Sequence, residues 1–191
     1  MARKALPISM ENVILALLDE EPLHGYEIHH RMNQMPGINK IWNIKQALLY
    51  SKLDRLENSG FIEPVPDQAD AELTGRVVFR LTNEGKALIM EWISTPVKKA
   101  RDIRQDFLGK LIIARRYGIN HALDLLQKQR VVCQSWYDHL LQDLPVTSAD
   151  ALDEAIVHSY RLYRDRATLH WLDHLEGQIN KVKDGDNLTG G

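Results

Sequence analysis

Lys45, Gln46, Ala47, Tyr50 and Ser51 stand in one short stretch, "NIKQALLYSKLDRLENSGFIE" from Asn43 to Glu63, which reads as a helix, a turn and a strand. They offer an ammonium, a side-chain amide, a phenol and a hydroxyl beside a small residue. That set can grip a polyanion: the amide pairs bidentately with adenine, and the lysine and phenol reach phosphate. At about 100° per residue, Leu53 and Leu56 fall within roughly 40° of Leu49, so these leucines form the buried stripe. Ala47, Ser51 and Asn58 lie opposite, with Tyr50 on one flank and Lys52 and Arg55 toward the other. Asp54 and Glu57 load the second half with acid. The first half, where the helix dipole also favours phosphate, is therefore expected to enter a DNA major groove. Leu48 either meets a thymine methyl or is partly buried; spacing leaves both open. Arg76 at a turn and Arg80 on the solvent face of a strand supply further cations.

Other chemistries find little support. His170 and His174 flank Asp173 at helical spacing but lack a clear third ligand, so a polar helix face is the simpler reading and no metal is expected. His24 reads as a structural hydrogen-bonding residue in a turn. No P-loop, GxGxxG, Ser/His/Asp grouping or paired carboxylates occur, so neither enzyme activity nor a cofactor is expected. The single cysteine, Cys133, excludes an intramolecular disulfide and suits a reducing cytoplasm. No apolar run approaches the roughly 20 residues that span a bilayer, and the start lacks a signal-peptide pattern. Net charge is −2, with 24 basic against 26 acidic residues, so any basic footprint must be local.

The elements that must position these residues follow from periodicity. Ser9 caps a first helix with Met10, Val13, Ile14, Leu17 and Leu18 inward. A second short helix runs from Gly25 to about Met35. Asn43 is a candidate cap for the third helix with Gln46 as capping-box partner, and Gly60 is its left-handed stop. Strand-like "FIEPV" and "GRVVFRLT" flank an acidic loop, and Thr82 caps a fourth helix ending near Pro96. This order is that of a winged helix-turn-helix. Beyond Lys98 three helices are expected, near 102–117, 120–144 and 147–182. The fold class is mainly α: a winged helix-turn-helix with a two-stranded wing over 1–96, a three-helix dimerisation domain over 97–182 and a disordered tail over 183–191.

The last helix is apolar on more than one face and needs partners on two sides. A homodimer is expected through Phe107, Leu111, Leu152, Ile156, Tyr163, Leu169 and Leu172. Trp136, Tyr137, Tyr160 and Trp171 are candidates for an effector pocket, against the simpler reading that they are core.

"LLDEEPLHGYEI" (Leu17 to Ile28), "WNIKQALLYSKLDRLENSGFIE" and "VVFRLTNEG" (Val77 to Gly85) together resemble the PadR family of bacterial transcriptional regulators. The likeness continues into "RQDFLGKLIIA" and resembles the longer branch, whose helical second half is similar to that of virulence activators. It implies a homodimeric repressor on a pseudo-palindromic operator, with double-stranded DNA as partner and, in some members, phenolic acids or planar drugs as small aromatic effectors. Lys45, Ala47 and Leu48 stand where the family commonly has serine and a glycine or polar residue, so the family's operator does not carry over. Two alternatives remain: a winged-helix protein-interaction module without DNA binding, and a small-molecule binder in which DNA is secondary.

Overall fold

The computed structural model describes residues 9–65, 77–143 and 151–189, with side chains as far as residue 183. Helix α1 (Ser9–Glu20) leads through a short strand β1 (Leu23–His24) into α2 (Gly25–Gln34), a single turn α3 (Ile38–Ile41) and α4 (Gln46–Asn58). Strands β2 (Ile62–Pro64) and β3 (Val78–Leu81) form the wing, and α5 (Asn83–Ser94) closes the module. A 3₁₀ turn (Ala100–Arg104) then leads to α6 (Asp106–Tyr117), α7 (Ile119–Gln142) and α8 (Leu152–Thr189). The fold is mainly α with a small antiparallel sheet, as the sequence pattern implies. No helix among the described residues is long and apolar enough to cross a membrane.

Caps and turns explain the breaks. The His24 imidazole Nδ1 accepts the Glu27 N–H at 3.1 Å and caps α2, which gives this histidine the structural role expected of it. Gly60, at φ 71°, takes the left-handed conformation that ends α4. Thr82 joins this turn to the wing: its hydroxyl donates to the Gly60 carbonyl at 2.9 Å and accepts the Gly85 N–H at 3.1 Å.

Four local expectations change. The sheet has three strands in the order β1-β3-β2, not two, because Leu23 and His24 pair with Phe79 and Val78. Asn43 caps nothing; α4 begins at Gln46 with Lys45 at its cap position and no side-chain cap bond. The reason is Ile44, which is buried and keeps the entering chain extended. The short turn α3 is an additional element. Finally, α8 continues past Val182 to Thr189, since propagating a formed helix costs far less than starting one. Arg76 and the start of the last helix at Thr147 or Ser148 lie outside the described residues.

One core serves both halves. Val13, Ile14, Leu17, Ile28, Leu49 and Leu53 join Phe107, Ile113, Leu125 and Leu172 in a single buried cluster. Helix α6 packs against α1, α3 and α5 as well as α7, so it forms the seam between the winged module and the terminal helices. Ser9 donates to Asp106 at 2.7 Å and Tyr117 to Asp19 at 2.8 Å across that seam.

Candidate nucleic-acid interface

Leu49, Leu53 and Leu56 are at most 1 % exposed, so α4 is seated by the stripe that its periodicity defines. Lys45, Gln46, Ala47, Leu48, Tyr50 and Ser51 all face solvent. Leu48 is 41 % exposed, which resolves the open alternative in favour of the outward face. The Ser51 hydroxyl donates to the Leu48 carbonyl of its own helix at 2.9 Å, leaving its oxygen to accept. Among the described residues Lys45 has no ion-pair partner.

Three contacts fix this presentation. The His29 ring nitrogen Nε2 donates to the Ile44 carbonyl at 2.8 Å and so holds the chain entering α4. The sequence alone does not mark His29 for this role; the one signal is its place on α2 between Ile28 and Met32, which are buried. Gly25 lets α2 approach: a Cβ there would lie 2.7 Å from the Tyr50 ring and 3.2 Å from Leu53 Cδ1. Trp42 lies against α6 at Gly109, where a Cβ would fall 2.4 Å from its ring.

The other predicted cations are placed differently. Lys52 and Arg55 turn away from solvent toward Glu11 of α1, whose carboxylate is fully buried; the distances to Glu11 Oε1 are 3.4 and 3.2 Å. A buried carboxylate draws its counter-charges inward, which corrects their assignment to the DNA face. Glu11 itself was missed, although at about 60° from Ile14 it lies within the apolar stripe of α1, where a charge demands a partner. Arg80 is exposed on the wing as alternation predicts, and its guanidinium meets Glu63 at 2.7 and 2.8 Å. That pair is accessible to solvent, so Arg80 can exchange its partner for a phosphate at small cost.

The predicted dimerisation residues divide in two. Phe107, Leu111 and Leu172 are buried within the subunit, with Phe107 packed edge-on against Trp171 at 6.1 Å. They cannot form an outer interface, because their cover already comes from the chain itself. Leu169 is half-buried against the same core. Leu152, Ile156 and Tyr163 are exposed, joined by Val157 and Tyr160 on the first half of α8.

The predicted aromatic pocket is not one cavity. Trp136 lines a cavity of about 310 Å³ with His139, Arg161, Arg164 and Asp165. Tyr160 and Trp171 line a second, of about 470 Å³, with Ile103, Arg104 and Leu108. Ala100 and Arg164 border both, while Tyr137 borders neither. Arg164 lies 5.9 Å from the Tyr160 ring and 2.7 Å from the Asp165 carboxylate.

A helix seated by leucines, with its opening turn exposed beside a β-wing, defines a winged helix-turn-helix protein. Residues 14–91 match the model of the transcriptional regulator PadR-like family. The chain belongs to that family of transcriptional regulators. It is 34 % identical over 88 residues to an uncharacterized protein of Lysinibacillus sphaericus, covering 44 % of this chain and 77 % of that one. It is 24 % identical over 181 residues to the negative transcriptional regulator PadR of Bacillus subtilis, covering 90 % of this chain and 98 % of that one. Among solved structures, Bacillus subtilis PadR in complex with operator DNA aligns with a TM-score of 0.41 at 20 % identity, over 90 % of this chain and 99 % of that one. The same protein in complex with p-coumaric acid aligns with a TM-score of 0.41 over 91 % of this chain.

Proposed function

We propose that this regulator is a cytoplasmic, non-enzymatic, sequence-specific DNA-binding repressor that grips a pseudo-palindromic operator as a homodimer. Residues 1–96 form the DNA-binding unit and 97–182 the dimerisation unit. The carrying observation is the exposed first turn of α4, where Lys45, Gln46, Ala47, Tyr50 and Ser51 stand clear of the core. Lys45 and Tyr50 reach phosphate, Gln46 reads a base edge, and Ala47 and Ser51 permit close approach. Arg80 and Arg76 hold the backbone from the wing. The exposed apolar strip of Leu152, Ile156, Val157, Tyr160 and Tyr163 supports pairing of two subunits through α8. Each subunit then brings one α4 to one half-site, and the α8 interface sets their separation. A gel-shift titration over a salt series tests the reading. Affinity that falls with salt and prefers one promoter fragment supports it; salt-independent binding, or none, refutes it.

A second activity is favoured by the two cavities that meet at Arg164. Guanidinium groups beside Trp136, Tyr160 and Trp171 suit a small aromatic acid, the carboxylate on arginine and the ring on an aromatic face. A carboxylated aromatic such as p-coumaric acid should raise the thermal midpoint of the protein and lower its affinity for DNA. An unchanged midpoint would remove this second reading and leave the first intact.

A further inference from the structure

We propose that Glu11 is a positioning residue for the recognition helix: it holds Lys52 and Arg55 off the DNA backbone and thereby sets which turn of α4 makes the phosphate contacts. The inference rests on the DNA-binding reading above. Glu11 is fully enclosed near the start of α1, and among the described residues Lys52 and Arg55 of α4 approach its Oε1. An enclosed carboxylate is tolerable only when paired, so the pairing is enforced by the burial.

The geometry gives this cluster a directing role. Lys52 and Arg55 leave α4 about one turn apart on the same flank, and a single oxygen ties both. The leucine stripe decides which face of α4 meets the core. Charge-assisted hydrogen bonds are directional, so the ion pairs to Glu11 hold the flank of that helix and narrow its roll about the axis. It also fixes the charge pattern. With Lys52 only 18 % exposed and Arg55 at 35 %, the cation left facing outward on α4 is Lys45. Cationic contact from α4 to the backbone is thereby confined to its opening turn, and the base-reading side chains Gln46 and Ala47 are brought to the groove in one register. Were the flank cations free, a rolled helix could hold phosphates without seating Gln46, and binding would lose sequence preference.

The test is Glu11→Gln, which keeps the shape and an acceptor oxygen while removing the charge. Binding to a random-sequence duplex is followed by fluorescence anisotropy across a salt series, beside a duplex enriched by selection with the wild-type protein. In the variant the salt slope on random duplex should steepen by about 0.9 for each released cation, up to about 1.8 per subunit. Preference for the selected duplex should fall together with it. Adding Lys52→Gln and Arg55→Gln to Glu11→Gln should return the slope to the wild-type value, a restoration that loss of packing alone would not produce. In the wild-type background, Lys52→Gln should leave the slope unchanged. A folded Glu11→Gln protein with the wild-type slope overturns the proposal, as does Lys52→Gln flattening the slope, because Lys52 would then already sit on phosphate. If Glu11→Gln fails to fold, the Lys52→Gln measurement decides alone. A wild-type protein that binds without salt dependence would sink the DNA-binding reading itself.

Discussion

Replacing Lys45 with alanine isolates the electrostatic contribution of the recognition helix. Lys45 stands at the cap position of α4, exposed, with no cap hydrogen bond to the helix. Its removal should therefore shift folding stability by no more than about 0.5 kcal/mol, so any change in DNA binding reports the interface. Each lysine–phosphate contact adds about 0.9 to the slope of log affinity against log salt, and the proposed dimer carries two copies, giving about 1.8. Between about 50 and about 200 mM salt the wild type should thus lose roughly twelvefold more affinity than the variant. The two titration curves converge as salt rises. Gln46→Ala provides the contrast: about 1–3 kcal/mol lost at one base position, with the slope unchanged. Identical salt slopes for Lys45→Ala and wild type would refute the placement of this turn against the duplex.

Gly85→Ala should destabilise the winged module by about 3 kcal/mol or more in a denaturant melt, because its Cβ would lie 2.3 Å from the Phe61 carbonyl oxygen. If two copies pair through α8 as proposed, Ile156→Lys should leave a folded 22.0 kDa monomer by sedimentation, since Ile156 is 58 % exposed; Leu172→Ala should instead cost about 2–5 kcal/mol of folding stability. Burial pushes the Lys110 ammonium below its ordinary value against the pull of Asp106, so the unfolded chain holds this proton to higher pH than the folded one. Stability should accordingly rise with pH across the alkaline window between the lowered value and the ordinary one. Lys110→Met should abolish that rise, as measured by chemical denaturation at neutral and alkaline pH.

Helix periodicity made the seat of α4 legible, because three apolar residues at that spacing can bury together only on one face. The same arithmetic could not show that Lys52 and Arg55 face inward. An angle around a helix names a direction but not the element lying there, and α1 lies there with an acid. The clue was in α1, where Glu11 interrupts an apolar stripe and requires cations from somewhere. Phe107, Leu111 and Leu172 were misplaced for a related reason. An apolar face must be covered, yet sequence spacing does not distinguish cover by the same chain from cover by a second copy. β1 was invisible because two residues are too few to display a period, and its pairing to β3 is decided by the wing's position.

The weak bulk charge becomes intelligible once these pairings are considered. Of the acids in the winged module, Glu11 is neutralised within the core, Asp19 faces Lys86 and Tyr117, and Glu20 accepts from Arg116 of α6. The field at α4's first turn is therefore set locally by Lys45 and the helix dipole, not by the net charge of −2. The bonds of Asp19 to Tyr117 and of Glu20 to Arg116 also tie the module to α6, and Trp42, just before α4, adds to the link by lying on Gly109. With no space between that ring and the helix backbone, α6 cannot shift toward Trp42 without displacing it. A displaced Trp42 disturbs the extended segment whose Ile44 carbonyl His29 holds. Close packing of this kind transmits a displacement instead of absorbing it, so a shift of α6 toward Trp42 would be felt at the entry to α4.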